Sequence, residues 1–157
     1  MIGIVFFFQD PQTNFFSGIM DTVIDRIIFN ARNLGATHVF MIDKTQYKIG
    51  QYYQHSDSQI AFQRFESLEE LEKTYPKVKF IYFENARALE KAGIESYTLL
   101  PDFAHPSRAI YVVGTETGGI PISGREDKIW VSIPVENLWA EGAINICLYD
   151  RLTKLRK

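Results

Sequence analysis

The sequence lacks most of the features that mark secreted, membrane and metal-binding proteins. Its single cysteine, Cys147, excludes an internal disulfide and any site built from several cysteines. Its longest apolar runs, such as Ile4–Phe8, are far shorter than the roughly 20 residues of a membrane span. No basic segment precedes a long apolar stretch, as it would in a secretory signal. We therefore expect a cytoplasmic protein with no membrane segment and no metal.

Charge and histidine content exclude further classes. The 17 Lys and Arg residues are balanced by 19 Asp and Glu residues, for a net charge of -2. The chain lacks the overall positive charge of many nucleic-acid binders, so any contact with RNA would need a local patch. The three histidines, His38, His55 and His105, have no metal-ligand spacing, and neither a P-loop nor a GxGxxG motif follows the first predicted strand.

The pattern of apolar residues predicts one α/β domain over residues 1–157, in a chain that is 46% hydrophobic and 14% aromatic. Unbroken apolar runs rich in β-branched and aromatic residues predict strands buried on both faces. The strong strand candidates are Ile2–Phe8, His38–Ile42, Val78–Phe83, Ala109–Val113 and Ile129–Ile133, and the weaker ones are Ile60–Phe65 and Tyr97–Leu100. The helix candidates are Asn14–Gly35, Ser67–Pro76, Ala86–Lys91 and Leu138–Leu152. This alternation predicts a mostly parallel sheet flanked by helices.

Two segments are candidates for function. The polar, tyrosine-rich segment 44–58 is either a functional loop or a solvated excursion. The stretch Ala109–Pro121 (AIYVVGTETGGIP) ends a predicted strand at Gly114 and adds two more glycines. Glycines at the carboxyl end of a parallel strand let the main chain approach a ligand, although composition alone favours a plain glycine-rich turn. A second strand ends at Pro134, so the two strand ends could form adjoining walls of one pocket.

These motifs resemble those of a known family. GTETGGIP resembles the second motif, G-x-E-x-x-G-[IL], of the SpoU/TrmH branch of the SPOUT superfamily, and VSIPV resembles the start of its third motif. AEGAINICLYDRL is similar to the last SPOUT helix, and the strand after Gly35 matches the end of the first motif. The resemblance implies a C-terminal trefoil knot, an exception to the usual rule against knots. It also implies a homodimer, S-adenosyl-L-methionine as cofactor, and methylation of a ribose 2′-hydroxyl in RNA, with tRNA the expected substrate.

The same resemblance implies which residues form the site. The implied cofactor contacts are Phe83, Gly114, Glu116, Gly119, Ile133, Leu138 and Gly142. Glu116 and Arg26 are the implied catalytic residues. The family places its first-motif arginine where this chain has Phe29, and Arg26 lies one helical turn earlier on the same face.

This chain departs more strongly from the third motif of the family. Its Ser-[Leu/Met]-Asn triplet is absent, and two registers remain open, one at Asn137–Leu138 and one at Glu141–Ala143. Phosphate contacts are expected from Arg32, Lys44, Lys48 and Arg108, with tyrosines of segment 44–58 available to stack on bases. Two alternatives stay open: a catalytically silent homologue that binds cofactor or RNA, and an unrelated α/β protein with a glycine-rich turn.

Overall fold

The computed structural model describes residues 1–8, 17–43, 59–114, 120–136 and 138–156, with only the main chain described for 17–21. The strands are β1 (Ile2–Phe7), β2 (His38–Ile42), β3 (Ala61–Phe65), β4 (Lys79–Phe83), β5 (Thr98–Leu99), β6 (Ala109–Val112) and β7 (Ile129–Ser132). The helices are α1 (Ser17–Asn33), α2 (Leu68–Thr74), α3 (Ala86–Lys91) and α4 (Ala140–Leu155), and a 3-10 turn covers Leu100–Asp102.

The strands form one sheet in the order β3-β2-β1-β6-β4-β7-β5, and every pairing is parallel. The predicted α/β class is confirmed, and the sheet is parallel throughout the described residues rather than mostly so. The central strands are apolar on both faces because helices cover both faces. Of the four residues of β6, all are buried.

Each face of the sheet has its own core. Alternate residues of the central strands, such as Ile4, Ile81 and Tyr111, pack against α1 and α4. Their neighbours in sequence, such as Val112 and Tyr82, pack against α2 and α3. The period-two alternation of a strand therefore sorts one apolar run into two cores.

Local signals explain most helix boundaries. Gly35 has φ +91°, the left-handed conformation that ends α1, while the predicted start at Asn14 lies outside the described residues. Ser67 caps α2, because its hydroxyl accepts from the Glu70 amide at 3.1 Å. That helix ends at Thr74 rather than at the predicted Pro76, since the residue before a proline avoids the helical region.

The last helix is shifted relative to its prediction. It runs from Ala140 to Leu155, not from Leu138 to Leu152, because Trp139 has the extended main chain of a capping residue. Its second half binds the segment before β6. The Lys154 ammonium lies 2.6 Å from the Leu100 carbonyl oxygen, and one Arg151 nitrogen lies 3.0 Å from that of Ser107.

A buried histidine joins the same two segments. The side chain of His105 is fully enclosed, with Nδ1 2.8 Å from the Tyr111 hydroxyl and Nε2 2.8 Å from an Asp150 carboxylate oxygen. Through these two hydrogen bonds, His105 connects α4 to β6. The trefoil knot itself stays a prediction. No described helix combines the length and the apolar character needed to cross a bilayer.

Candidate functional site

The candidate site lies at the edge of the sheet where β6, β4 and β7 end. Register pairs Val112 with Tyr82 and Tyr82 with Trp130, so the three strands end at nearly the same level. The predicted tips at Gly114 and Pro134 thus lie on one edge, but they are not adjacent because β4 runs between them. With about 4.8 Å between neighbouring strands, the two outer strands are about 10 Å apart.

Glu84 and Asn85 follow β4 and occupy the middle of this edge. The sequence patterns did not indicate either residue. The carboxylate of Glu84 accepts from the Asn85 amide at 2.9 Å and from the Ile120 amide at 3.2 Å. The Glu84 amide donates to the Val131 carbonyl of β7 at 3.2 Å. The Asn85 side chain donates to the Glu136 carbonyl at 3.4 Å. Residues 84 and 85 therefore connect the chain beyond β6 to the chain beyond β7.

A buried hydroxyl lies one strand away. Ser132 ends β7, is 0% exposed, and its Oγ has no hydrogen-bond partner among the described residues. Tyr82 and Trp130 are paired and belong to the α2–α3 core, so Glu84 and Ser132, two residues further along each strand, face the same side. A buried hydroxyl without a partner is costly, which suits a polar group bound at this edge.

The residues implied as cofactor contacts are in different environments. Phe83 is only 5% exposed, and its ring lies 6.2 Å from that of Tyr111 in the α1–α4 core. Any ligand contact of Phe83 would therefore come chiefly from its main chain. Gly114 and Ile133 are half-buried at the ends of β6 and β7. Glu116 and Gly119 lie outside the described residues.

The other two implied contacts meet at the start of α4. A Cβ on Gly142 would lie 3.1 Å from Cδ1 of Leu138, so the absence of a side chain at 142 leaves room for that leucine. Both residues line an open depression of about 470 Å³ together with Trp139, Glu141 and Asn145.

The implied catalytic arginine points to this depression. Arg26 forms two hydrogen bonds with the carboxylate of Glu141, Nε to Oε1 and Nη2 to Oε2, each 3.0 Å long. This hydrogen bonding and the charge of Glu141 raise the pKa of the Arg26 guanidinium above its usual value, so it stays protonated. Phe29, at which the resemblance would place an arginine, is 60% exposed.

The two described residues that are expected to bind RNA, Arg32 and Arg108, do not lie at the carboxyl ends of the strands. Arg32 lies near the end of α1, where its guanidinium is 5.9 Å from the Phe29 ring centre and donates to Gln59 at 2.9 Å. Arg108 is exposed and directly precedes β6. Both therefore lie toward the amino ends of the strands, opposite the candidate site, while Lys44 and Lys48 lie outside the described residues.

A buried arginine fixes the chain that follows Ile120. Arg125 is 6% exposed and binds the carboxylates of Glu69 and Glu72, with nitrogen–oxygen distances of 3.0 and 2.8 Å. It also donates to the Pro121 carbonyl at 3.1 Å. Burial alone would lower the pKa of Arg125, but the hydrogen bonds and charges of the two glutamates outweigh burial and raise it.

Comparison with known proteins identifies the fold. No family model and no curated protein matches the sequence. An rRNA methyltransferase from Sinorhizobium meliloti has a similar structure, with a TM-score of 0.66 at 16% identity over 99% of this chain and 57% of its own. AviRb, a SpoU methyltransferase from Streptomyces viridochromogenes solved with AdoMet, has a TM-score of 0.65 at 18% sequence identity. The match covers 97% of this chain and 59% of AviRb. The TrmH/SpoU tRNA modifying enzyme of A. aeolicus has a TM-score of 0.66 at 13% sequence identity. The match covers 98% of this chain and 74% of that enzyme.

The chain thus has the fold of SpoU/TrmH methyltransferases, and it spans a little over half the length of the first two of these proteins. The predicted α/β fold is confirmed, and it is the fold of these solved methyltransferases.

Proposed function

We propose that this protein is an RNA methyltransferase of the SpoU/TrmH type that uses S-adenosylmethionine and methylates a ribose 2′-hydroxyl, with tRNA as the preferred substrate. The observation that carries the proposal is the edge of the sheet where three strand ends are connected through Glu84 and Asn85, in the fold in which AviRb was solved with AdoMet. Ligands of open α/β sheets bind beyond the carboxyl ends of the strands, at such an edge.

The side chains at this edge suit the proposed cofactor. Ile133 and Leu138 are partly exposed apolar side chains, which suits an adenine ring. The unpartnered hydroxyl of Ser132 suits a polar group of the same ligand. Gly114 lets the main chain approach closely. When bound, S-adenosylmethionine supplies a methyl group that is already activated by its sulfonium.

The protein must then orient the ribose hydroxyl and favour the loss of its proton. Arg26, kept protonated by Glu141, is a poor proton acceptor, so we assign it the stabilisation of negative charge that develops on the ribose oxygen. Glu116 is proposed to orient the substrate. Arg26→Ala should abolish methyl transfer and leave cofactor binding intact, whereas Arg87→Ala, an exposed arginine on α3, should change neither. Unchanged turnover of Arg26→Ala would remove Arg26 from the mechanism.

We further propose that the protein acts as a homodimer. Exposed apolar residues repeat every three positions along α4, so that each lies beside the next on the helix surface: Ile146, Tyr149, Leu152 and Leu155. Phe29 of the adjoining α1 is exposed as well, and exposed apolar residues in such number are of the kind that marks protein–protein contacts. Sedimentation should give twice the monomer mass, and Tyr149→Glu should shift it toward the monomer.

Two measurements test the proposed activity. Calorimetric titration with S-adenosylmethionine and S-adenosylhomocysteine should show binding of both, and no heat with either would refute the proposal. Labelled cofactor should then transfer methyl to bulk tRNA more than to bulk rRNA, and the product should resist alkaline cleavage at the methylated ribose. Cofactor binding without transfer to any RNA would favour a catalytically silent homologue, which the absence of the Ser-[Leu/Met]-Asn triplet makes the second candidate.

A further inference from the structure

We propose that Glu84 is a positioning residue, whose carboxylate fixes the main chain at Ile120, beyond β6, for cofactor binding. This inference rests on the proposed function, because it assigns a role within the same site. Glu84 lies directly after β4, between the ends of β6 and β7, and its own amide is still paired with β7. Its carboxylate is thus fixed in the middle of the edge by the sheet itself.

The chemistry of the contact favours a carboxylate at this position. One oxygen accepts from the Asn85 amide and the other accepts from the Ile120 amide. A carboxylate offers two acceptor oxygens and no donor, so it can satisfy two main-chain amides at once. Hydrogen bonds that involve a charged partner are roughly twice as strong as neutral ones. A glutamine offers a single acceptor oxygen and could satisfy only one of these amides.

The contact fixes a defined point of the chain. Ile120 is 3% exposed and its side chain lies in the α2–α3 core, while its amide is held by Glu84. The next residue, Pro121, is held from the other side, because its carbonyl accepts from Arg125. The main chain at Ile120 is therefore held by the Ile120 side chain, by the Ile120 amide and by the carbonyl of Pro121.

Asn85 extends the arrangement to the other strand end. Its Oδ1 accepts from the Ala88 amide at 2.8 Å and caps α3, and its Nδ2 donates to the Glu136 carbonyl. Asn85 is thus itself held by a helix that packs on the sheet. The two segments that flank the proposed cofactor site are both fixed relative to β4, which lies between them.

The first measurement needs no ligand. Hydrogen exchange at the Ile120 amide is compared by NMR in the parent protein, Glu84→Ala, Glu84→Gln and Glu95→Gln, the last being an exposed carboxylate beyond α3. Glu84→Ala should lose about tenfold or more of the protection at Ile120, as expected for one charge-assisted hydrogen bond. Glu84→Gln should lose less, and the strand amides of Ile81 and Tyr111 should keep their protection in all variants. Unchanged exchange at Ile120, or an equal loss at the strand amides, would overturn the inference.

The second measurement tests ligand binding at the proposed cofactor site. Titration of the same four proteins with S-adenosylhomocysteine should show affinity about tenfold weaker in Glu84→Ala, partly restored in Glu84→Gln and unchanged in Glu95→Gln. Because Glu84→Gln keeps one acceptor oxygen, it remains informative even where Glu84→Ala fails to fold. If the parent protein binds S-adenosylhomocysteine and both variants at position 84 bind it with the same affinity, the positioning role alone would be overturned. Absence of binding by the parent protein would overturn the proposed function and the positioning role with it.

Discussion

Replacement of Arg125 by methionine should strongly destabilise the protein without altering its surface. The guanidinium is almost fully buried and is the cation closest to the carboxylate of Glu72, whose side chain is only 21% exposed. The same carboxylate accepts from the Tyr82 hydroxyl, and burial together with that hydrogen bond raises the pKa of Tyr82. Methionine fills a similar volume, so the loss reports on charge and hydrogen bonding rather than on a cavity.

The loss of stability in Arg125→Met depends on how deeply each glutamate partner is buried. Removal of one member of a buried ion pair costs about 3–5 kcal/mol, since the other charge is left unpaired. Glu69 adds little, because its side chain is 58% exposed and water can replace the arginine. Glu72 is not completely enclosed either, so we expect the lower end, about 3 kcal/mol. For a domain of this size, at about 2–4 °C per kcal/mol, the Tm should fall by roughly 6–12 °C.

Thermal and urea unfolding of matched variants test this reasoning. Arg87→Met, on the exposed side of α3, should stay within about 0.5 kcal/mol of the parent. Adding Glu72→Gln to Arg125→Met should recover at least about 1 kcal/mol, because it removes the charge that was left unpaired. If Arg125→Met lowers the free energy of unfolding by less than about 1 kcal/mol, or if the double variant recovers nothing, the ion pair between Arg125 and Glu72 does not stabilise the fold to the expected extent.

Two further perturbations test other parts of the fold. Burial lowers the pKa of His105 despite its hydrogen bond with Asp150, so the unfolded chain binds more protons than the folded one as pH falls. The Tm should therefore decline with acidification below about pH 6.5, the pKa of an exposed histidine, and less steeply in His105→Gln; an identical slope in both proteins would contradict this. Ser67→Ala should cost about 1 kcal/mol through loss of the α2 cap, and urea unfolding that matches the parent would rule out that role for the hydroxyl.

The sequence predicted the elements well because their signals are local. Apolar runs predicted the five inner strands to within one residue at each end, since a strand buried on both faces needs no partner to be recognised. The edge strands β3 and β5 are partly exposed and correspond to the two weaker candidates. Gly35 and Ser67 predicted helix boundaries because capping depends on neighbours in sequence. The start of α4 was predicted two residues too early, because apolar residues at Leu138 and Trp139 continue the helical pattern into an extended segment.

The site was less predictable because it depends on strand order. The glycines after β6 and the proline after β7 indicated two strand ends, but not that β4 lies between them. That order makes Glu84 and Asn85 the centre of the edge, although nothing in the local sequence distinguishes them from an ordinary polar turn. The cofactor contact that the resemblance implied for Phe83 stays a prediction, and the burial of its ring in the core leaves chiefly its main chain to make it.

The position of the basic residues bears on how RNA would be bound. Arg32 and Arg108 lie toward the amino ends of the strands, and a strand of five residues at about 3.3 Å each separates them from the candidate site by roughly 17 Å. Arg26 lies one to two turns before Arg32 on α1 and contacts the first turn of α4, so it is much better placed to meet a substrate at the site. Phosphate contacts from Arg32 and Arg108 would then serve to hold distant parts of a large RNA. Their removal should weaken RNA binding with little change in turnover at saturating RNA, whereas removal of Arg26 should act on turnover itself.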